Sequence, residues 1–287
     1  MTSRAAELAA FLAANPDAIV CELTSVRGSS PRAQGTFMLV GQTGLFGTIG
    51  GGALEYMVIE HARRLIVSGR AEGAMDVPLG PEIGQCCGGR VEVKLSHADA
   101  ARRLELAAMV AAEDVAQPHV YVFGAGHVGR ALAQMLALLP VQLDVIDTRR
   151  DELDLLPDHI ACRAVAMPEA VVRAAPAGSS FVILTHDHAL DFLIAQEALA
   201  RTDTPYVGMV GSRTKRARFA SWYLGEGGEA AALERLVLPI GEMGLGDKRP
   251  AVIAALAAAE IMVHIGQWEA ETGRVRTPET SGVAIGR

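Results

Sequence analysis

The hydrophobic positions follow different patterns in the two parts of the chain. Up to about Ala116, short apolar strand patterns are mixed with helical ones and separated by glycine-rich loops. From His119 onward, short apolar runs alternate strictly with segments of helical periodicity. Such alternation is typical of a parallel sheet with helices on both faces. The pattern predicts an α/β protein in which an N-terminal mixed α+β domain precedes a C-terminal Rossmann-like parallel sheet.

Each predicted domain has a definite set of elements. Gln117-Pro118 is the predicted border, which gives domains over residues 1–116 and 117–265 and a flexible polar tail over 266–287. The first domain has predicted strands at Ile19–Val26, Phe37–Val40, Leu45–Ile49 and Val91–Leu95, and helices between Gly52 and Gly69 and over Ala100–Ala112. The second has predicted strands at His119–Phe123, Val141–Ile146, Ile160–Ala166, Phe181–Leu184 and Tyr206–Val210, and helices at His127–Leu139, Pro168–Ala175, Leu190–Ala200, Thr214–Tyr223 and Ala251–Ile265.

Composition and charge exclude several classes of protein. The chain has 287 residues, of which 50% are hydrophobic and 21% charged, as in a globular protein. Its net charge of −7 disfavours nucleic acid as a partner. The N-terminal residues lack a secretory core, and the apolar stretch Ala251–Ile265 is shorter than the ~20 residues that span a membrane. The cysteines lack a secreted setting, so we expect reduced thiols and a cytoplasmic protein.

A glycine fingerprint opens the second domain. Gly124, Gly126 and Gly129 fit G-x-G-x-x-G directly after a predicted strand, and Asp147 ends the next strand. Such glycines let the backbone approach an anion that the helix N-terminus stabilises. The motif predicts a phosphate-bearing ligand, although His127 is bulkier than the small residues often found at its position. Asp147 favours a ribose hydroxyl, whereas Arg149 and Arg150 suit an extra phosphate, so the choice of nucleotide stays open.

Two further predicted strand exits carry polar residues. The fourth strand is followed by Thr185-His186-Asp187-His188, and the fifth by Gly211-Ser212-Arg213-Thr214-Lys215-Arg216. Ligands of parallel sheets bind beyond the carboxyl ends of the strands, so His186, Ser212 and Arg213 are predicted to join the same site. The alternative for the histidines is a capping or solvent-exposed role. A metal role is disfavoured because they lack an evident further ligand.

A cysteine pair lies between glycines in Gly84-Gln85-Cys86-Cys87-Gly88-Gly89. A thiol on a glycine-rich loop can reach a ligand, and thiolates bind soft metals and support sulfur-transfer chemistry. Cys86 and Cys87 are therefore candidate metal ligands, although free cysteines are often small buried hydrophobes. Cys21 and Cys162 lie in apolar strand patterns and are predicted to be such buried residues.

Taken together, six segments resemble the XdhC/CoxI family of xanthine dehydrogenase accessory proteins, and the resemblance extends to about Ile265. They are Gly28–Arg32, Gly47–Glu55, Gly84–Gly89, Gly124–Gly129, Thr185–His188 and Gly211–Arg213. The resemblance implies a homodimeric, non-catalytic or weakly catalytic chaperone. It would bind the molybdenum cofactor, support its sulfuration by a cysteine desulfurase and deliver it to xanthine dehydrogenase. The family's cofactor-binding thiol falls on Cys86 or Cys87. The segment Gly244–Pro250 is more basic than the family pattern, and its role is open.

The chemistry of molybdopterin agrees with both motifs, because it combines a phosphate with a molybdenum held by sulfur. We expect the glycine fingerprint or the Gly211–Arg216 loop to bind the phosphate, and Cys86 or Cys87 to contact the metal. Two alternatives differ in class. One is an NAD(P)-dependent oxidoreductase with His186 as acid and base. The other is a scaffold whose nucleotide fold no longer binds a ligand. The sequence does not distinguish xanthine dehydrogenase from other molybdenum hydroxylases as the target.

Overall fold

The computed structural model describes residues 3–84, 88–242 and 245–273. Over these ranges the chain divides between Ala116 and Gln117 into two compact units, here called the N-terminal unit and the Rossmann-like unit. Cys86 and Cys87, which the sequence singles out as metal ligands, lie outside the described residues.

The N-terminal unit is an antiparallel sheet with helices on both faces. Its strands are ordered β3-β2-β1-β5-β4, and β2 and β3 form a hairpin around Gly41–Gly44. The elements are α1 Arg4–Ala14, β1 Ile19–Arg27, β2 Phe37–Val40, β3 Leu45–Gly47, α2 Gly52–Ser68, β4 Glu72–Pro78, a 3-10 turn at Pro81–Ile83, β5 Arg90–His97 and α3 Ala100–Ala116.

Strand β1 shows how this sheet is buried on both sides. Cys21 and Leu23 belong to the core beneath α2, whereas Val20 belongs to the core beneath α1 and α3. Successive side chains of a strand point to opposite faces, so one apolar run fills two cores. Burial also raises the pKa of the Cys21 thiol to about 12, which keeps it protonated and unreactive.

The Rossmann-like unit contains a parallel sheet of six strands. Its elements are β6 His119–Phe123, α4 His127–Leu136, β7 Gln142–Asp147, α5 Arg150–Leu153, β8 Cys162–Ala164, α6 Pro168–Ala174, β9 Ser180–Ile183, α7 His188–Ala200, β10 Val207–Met209, α8 Arg213–Gly225, α9 Ala230–Leu233, β11 Leu236–Val237 and α10 Pro250–Thr272.

The strand order, β11-β10-β9-β6-β7-β8, is that of a doubly wound dinucleotide-binding sheet. Every neighbouring pair is parallel, and the order reverses between β6 and β9. Val122 faces the core formed with α4 and α10, whereas Phe123 faces the core formed with α7 and α8. The predicted fold class is therefore confirmed, including the helices on both faces of the sheet.

Several elements differ from the sequence-based expectation. The pattern did not reveal α1, β4, β11 or the short helices α5 and α9. Helix α10 continues seven residues beyond its predicted end at Ile265, so the predicted tail begins with the last two turns of a helix. The prediction that Cys162 is buried is wrong, because β8 is a short edge strand and Cys162 is exposed on it.

Helix α10 is 23 residues long and apolar. Within the described ranges it is the one helix that is long and apolar enough to cross a membrane, with a mean hydropathy of 1.5. Its small residues Ala254 and Ala257 and the larger Ile261 pack in the core shared with α4. A helix in the core of an α/β unit meets the same criteria of length and composition, so the criteria alone do not indicate a membrane span.

Glu260 is a charged residue within the apolar helix α10, and its carboxylate is bound by a buried tyrosine. The Tyr206 hydroxyl donates a hydrogen bond of 2.8 Å to Glu260 Oε2, and the Gly241 N–H donates to the same oxygen at 3.1 Å. Tyr206 is only 1% exposed, and burial together with the neighbouring carboxylate raises its pKa. These bonds connect α10 to the chain entering β10 and to the turn after β11.

Removing the Tyr206 hydroxyl should therefore destabilise the Rossmann-like unit. We expect Tyr206→Phe to lower its free energy of unfolding by about 2 kcal/mol, the typical value of a hydrogen bond to a charged group. Both tryptophans, Trp222 and Trp268, lie in this unit, so their fluorescence during urea denaturation measures its stability alone. The control is Tyr223→Phe, because Tyr223 is similarly buried but its hydroxyl makes no hydrogen bond to the described residues. Equal losses in the two variants would contradict the prediction.

Candidate functional site

The glycine fingerprint begins where β6 ends. Gly124 has a φ of +115°, and a Cβ placed on it would lie 2.3 Å from the carbonyl oxygen of Leu184. Its own N–H donates to the Ile146 carbonyl at 2.7 Å. The backbone therefore turns sharply between β7 and β9, in a conformation and a space that exclude a side chain. This turn lies at the point where the strand order reverses.

Gly126 and Gly129 serve different purposes. A Cβ on Gly129 would lie 1.9 Å from the Gly124 carbonyl oxygen, so this glycine lets α4 pack against the turn. A Cβ on Gly126 would meet nothing within 4 Å, so this position faces open space. Gly126 is also the N-cap of α4, and no side chain of the described residues caps that helix. The first turn of α4 thus presents backbone N–H groups that can bind an anion.

Asp147 lies at the end of β7, as the fingerprint predicts, but its carboxylate already has partners. Oδ1 accepts from the Arg149 N–H at 3.0 Å and from Arg149 Nε at 3.1 Å. Oδ2 accepts from the Ala125 N–H at 2.7 Å and from Arg149 Nη2 at 3.0 Å. Burial by itself would raise the pKa of Asp147, but these hydrogen bonds outweigh it and hold the pKa below its ordinary value.

This arrangement changes the role expected of Asp147. A carboxylate has about four acceptor positions, and those of Asp147 are filled by Arg149 and by the glycine loop. Its side chain is only 2% exposed. In dinucleotide-binding enzymes the corresponding acid accepts a ribose hydroxyl. Here the carboxylate instead fixes the Ala125 N–H inside the loop, and Arg149 points to Asp147 rather than toward a second phosphate.

The loop after β9 carries the predicted His186, which is exposed at the surface together with His188. Asp187 caps α7 by accepting a hydrogen bond of 2.8 Å from the Ala189 N–H. Thr185 turns inward: its N–H and its hydroxyl both donate to Asp191 Oδ1, at 2.9 and 2.7 Å. The loop and the first residue of α7 therefore present two imidazoles at the surface, and buried Asp191 anchors the loop through Thr185.

The loop after β10 divides the predicted basic cluster. Ser212 caps α8 by accepting from the Lys215 N–H at 3.3 Å, and the Arg213 side chain is 89% exposed, with Glu242 3.7 Å away. Lys215 is buried, and its Nζ lies 2.5 Å from Asp191 Oδ2. Arg216 donates to the Leu236 carbonyl at 2.7 Å. Of the three cations predicted to bind phosphate, only Arg213 is exposed at the surface.

The predicted site residues of the Rossmann-like unit share one edge of the sheet. Strands β6, β9 and β10 are parallel neighbours, so the three loops that follow them emerge on the same side. They bring Gly126, His127, His186, Ser212 and Arg213 to this edge, here called the switch-point edge. Among the described residues no group of His, Cys, Asp and Glu is arranged to hold a metal. The roles predicted for Cys86 and Cys87 fall outside the described residues.

Asp191 was missed as a site residue because the surrounding sequence gives little indication that its side chain is buried beside the loops. It lies one turn inside α7, among apolar residues, where an acid is usually an exposed helix residue. In the structure it is 0% exposed. The one available signal was an acid surrounded by apolar neighbours in the predicted helix Leu190–Ala200, together with a lysine soon after the next strand.

A second glycine loop, Gly50–Gly52, has a sequence that suits either an anion site or a tight turn. The structure shows that the chain's own carboxylate occupies it. Glu55 Oε2 accepts from the Gly51 N–H at 2.6 Å and from the Thr48 hydroxyl at 2.8 Å. The N–H of Gly51, the N-cap of α2, is therefore bound by a carboxylate from the first turn of the same helix.

The fold and the switch-point edge define the class of protein. It is a Rossmann-like α/β protein whose glycine loop suits a phosphate and whose Asp147 carboxylate is bound by its own chain. Comparison with known families is more specific. The model of the XdhC Rossmann domain matches residues 120–261, and the model of the XdhC and CoxI family matches residues 11–77. The chain belongs to the XdhC and CoxI family.

Two similar proteins add detail. The uncharacterized protein YqeB of Escherichia coli (strain K12) is 28% identical over 254 residues, which are 85% of this chain and 42% of YqeB. The chain thus spans less than half the length of that curated relative. A crystal structure described as a xanthine dehydrogenase from Bacillus halodurans has a TM-score of 0.75 at 17% identity, covering 92% of this chain and 96% of the other. That likeness concerns the fold.

Proposed function

We propose that this protein binds the molybdenum cofactor and acts as a chaperone in the maturation of xanthine dehydrogenase. In this role it supports sulfuration of the cofactor by a cysteine desulfurase before the cofactor is inserted. Family membership supports the general role, and it agrees with the similar fold of the Bacillus halodurans protein that is described as a xanthine dehydrogenase. The protein itself need not catalyse a reaction. We also propose that it works as a cytoplasmic homodimer.

The observation that carries the proposal is the pairing of an open glycine loop with an occupied Asp147. The N–H groups at the start of α4 suit a phosphate, and Gly126 leaves space for it. Molybdopterin carries such a phosphate but needs no ribose-binding acid. Bound there, the cofactor would supply the molybdenum and its sulfur ligands. The residues of this edge would orient its phosphate, with Arg213 as a nearby cation.

The occupied Asp147 also disfavours the alternative of an NAD(P)-dependent oxidoreductase. Such an enzyme needs an acceptor for the ribose hydroxyl, or a free arginine for the extra phosphate of NADP. Arg149 and Asp147 bind each other, and Arg150 lies 3.1 Å from Asp154. His186 is exposed at the switch-point edge, where the oxidoreductase alternative places its general acid and base, so the experiment must test the alternative directly.

One purification distinguishes these functions. The protein is isolated from cells that make molybdopterin, and molybdenum, pterin and nicotinamide are measured in the same sample. We expect pterin and molybdenum to copurify and nicotinamide to be absent. Nicotinamide without pterin would favour the oxidoreductase, and neither ligand would favour a scaffold.

Gly126→Asp tests whether the glycine loop binds the phosphate. Gly126 has the extended conformation of an N-cap residue, and aspartate is a good N-cap. The new carboxylate should therefore stabilise α4 and accept hydrogen bonds from the N–H groups that would otherwise bind the phosphate. A charge-assisted hydrogen bond contributes about 2 kcal/mol, so its loss should reduce cofactor retention tenfold or more. The measurement is pterin and molybdenum per protein, with thermal unfolding recorded alongside.

The matched control is Gly266→Asp. A Cβ on Gly266 also meets nothing within 4 Å, and this glycine lies on the exposed part of α10. It adds the same charge to the same unit without touching the glycine loop, so its cofactor content should equal that of the wild type. If Gly126→Asp retained cofactor as well as Gly266→Asp does, the phosphate would not bind at α4.

A further inference from the structure

A buried ion pair lies directly beneath two of the three loops at the switch-point edge. Lys215 Nζ lies 2.5 Å from Asp191 Oδ2, and the two side chains are 9% and 0% exposed. Asp191 belongs to α7 and Lys215 to α8, which begin after β9 and β10 respectively. The pair thus joins the helices that follow two neighbouring strands.

Each member of the pair is also bound to the loop on its own side. Asp191 Oδ1 accepts both the N–H and the hydroxyl of Thr185, two residues after the end of β9. Lys215 Nζ donates to the carbonyl of Val210 at 2.8 Å, directly before the Gly211 loop. The Lys215 N–H in turn donates to the Ser212 hydroxyl. One continuous network therefore runs from Thr185 to Ser212.

A general stabilising role explains this pair poorly. The free-energy cost of removing two charges from water offsets most of the attraction between them. Proteins in which such a pair is replaced by apolar residues of similar volume are often as stable. What the pair does supply is a fixed geometry, because both oxygens of Asp191 and the ammonium of Lys215 have partners in defined directions. The exposed residues immediately beside these anchors are His186, Ser212 and Arg213.

We propose that Asp191 and Lys215 are positioning residues that hold the β9 and β10 loops in the relative placement required for ligand binding. The inference rests on the proposed function, since the ligand is the cofactor proposed above. Neither residue contacts the ligand in this scheme. They act through Thr185 and through the backbone at Val210, which fix the loops bearing His186 and Arg213.

The test is the neutral double variant Asp191→Asn, Lys215→Met. Asparagine keeps an acceptor for Thr185, and methionine keeps most of the lysine volume without donating to Val210. The single variant Lys215→Met would leave a buried, unbalanced carboxylate and is expected to fold poorly, so the double variant is the informative one. We expect it to retain about tenfold less pterin and molybdenum than the wild type, as in other sites that lose outer supporting contacts. Its melting temperature should stay within about 4 °C of the wild-type value.

A second neutralised pair on the same unit is the control. Arg173 and Glu197 form an exposed ion pair between α6 and α7, so Arg173→Met, Glu197→Gln removes the same charges away from the edge. It should keep wild-type cofactor content. Full retention in the Asp191→Asn, Lys215→Met variant would overturn the positioning role while leaving the proposed function intact. Absence of cofactor from the wild type would instead refute the proposed function. Equal losses of cofactor in both double variants would also overturn the positioning role.

Discussion

Gly129→Ala is expected to destabilise the Rossmann-like unit strongly. The added Cβ would lie 1.9 Å from the carbonyl oxygen of Gly124 and 2.8 Å from Leu184 Cδ1. The leucine side chain can move, but the carbonyl belongs to the turn between β6 and α4. The N–H of Gly124 fixes that turn by donating to the Ile146 carbonyl. Overpacking of a well-packed core typically costs about 1–3 kcal/mol and occasionally more, and a clash with backbone belongs at the upper end of that range.

The same fingerprint supplies the control, because Gly126→Ala adds an identical methyl group to open space. Tryptophan fluorescence in urea, which observes only the Rossmann-like unit, should show a much lower midpoint for Gly129→Ala and a nearly unchanged one for Gly126→Ala. Similar midpoints would mean that α4 can move away from the turn, and that the close approach of helix and strand is not required.

The success of the sequence-based prediction varied with the physical origin of each element. The strands β6 and β9 were predictable because burial on both faces requires a short continuous apolar run, and the helix α4 was predictable because one buried stripe imposes a helical period. Strand β4, with the burial pattern of an edge strand, has Gly73, Asp76 and Pro78 in its sequence. It forms because its backbone pairs with β5 over seven residues, and local pattern does not contain that information.

The candidate site shows the same limit at the level of side chains. Gly124, Gly126 and Gly129 could be placed because their spacing is tied to one backbone geometry. The partners of Asp147 and Lys215 could not be predicted, because the sequence around a charged residue does not show whether its side chain faces a ligand or another charge. Arg149 and Asp191 decide that question here, and both contacts depend on side-chain directions that exist only in the folded unit.

Replacing both cysteines of the glycine-rich loop, Cys86→Ala with Cys87→Ala, is expected to abolish molybdenum retention. We propose that a thiolate of this pair binds the molybdenum, which the cofactor itself also holds through sulfur. Alanine removes the sulfur atom and is, like cysteine, a small residue. We expect molybdenum per protein to fall by about tenfold or more, within the range seen when metal sites lose support. The glycine loop at α4, to which we assign the phosphate, is unchanged in this variant, so demetallated pterin is expected to be retained in part.

Cys162→Ala controls for the general effect of removing an exposed thiol. Cys162 is exposed on the edge strand β8, so its loss should alter neither molybdenum nor pterin content. Comparing the two ligands then separates the two proposed tasks. Loss of molybdenum alone places the metal contact on the cysteine pair, whereas loss of both would mean that the pair supports the whole cofactor. Unchanged molybdenum in the double variant would remove the thiols from the proposed mechanism and leave the glycine loop as the one tested binding element.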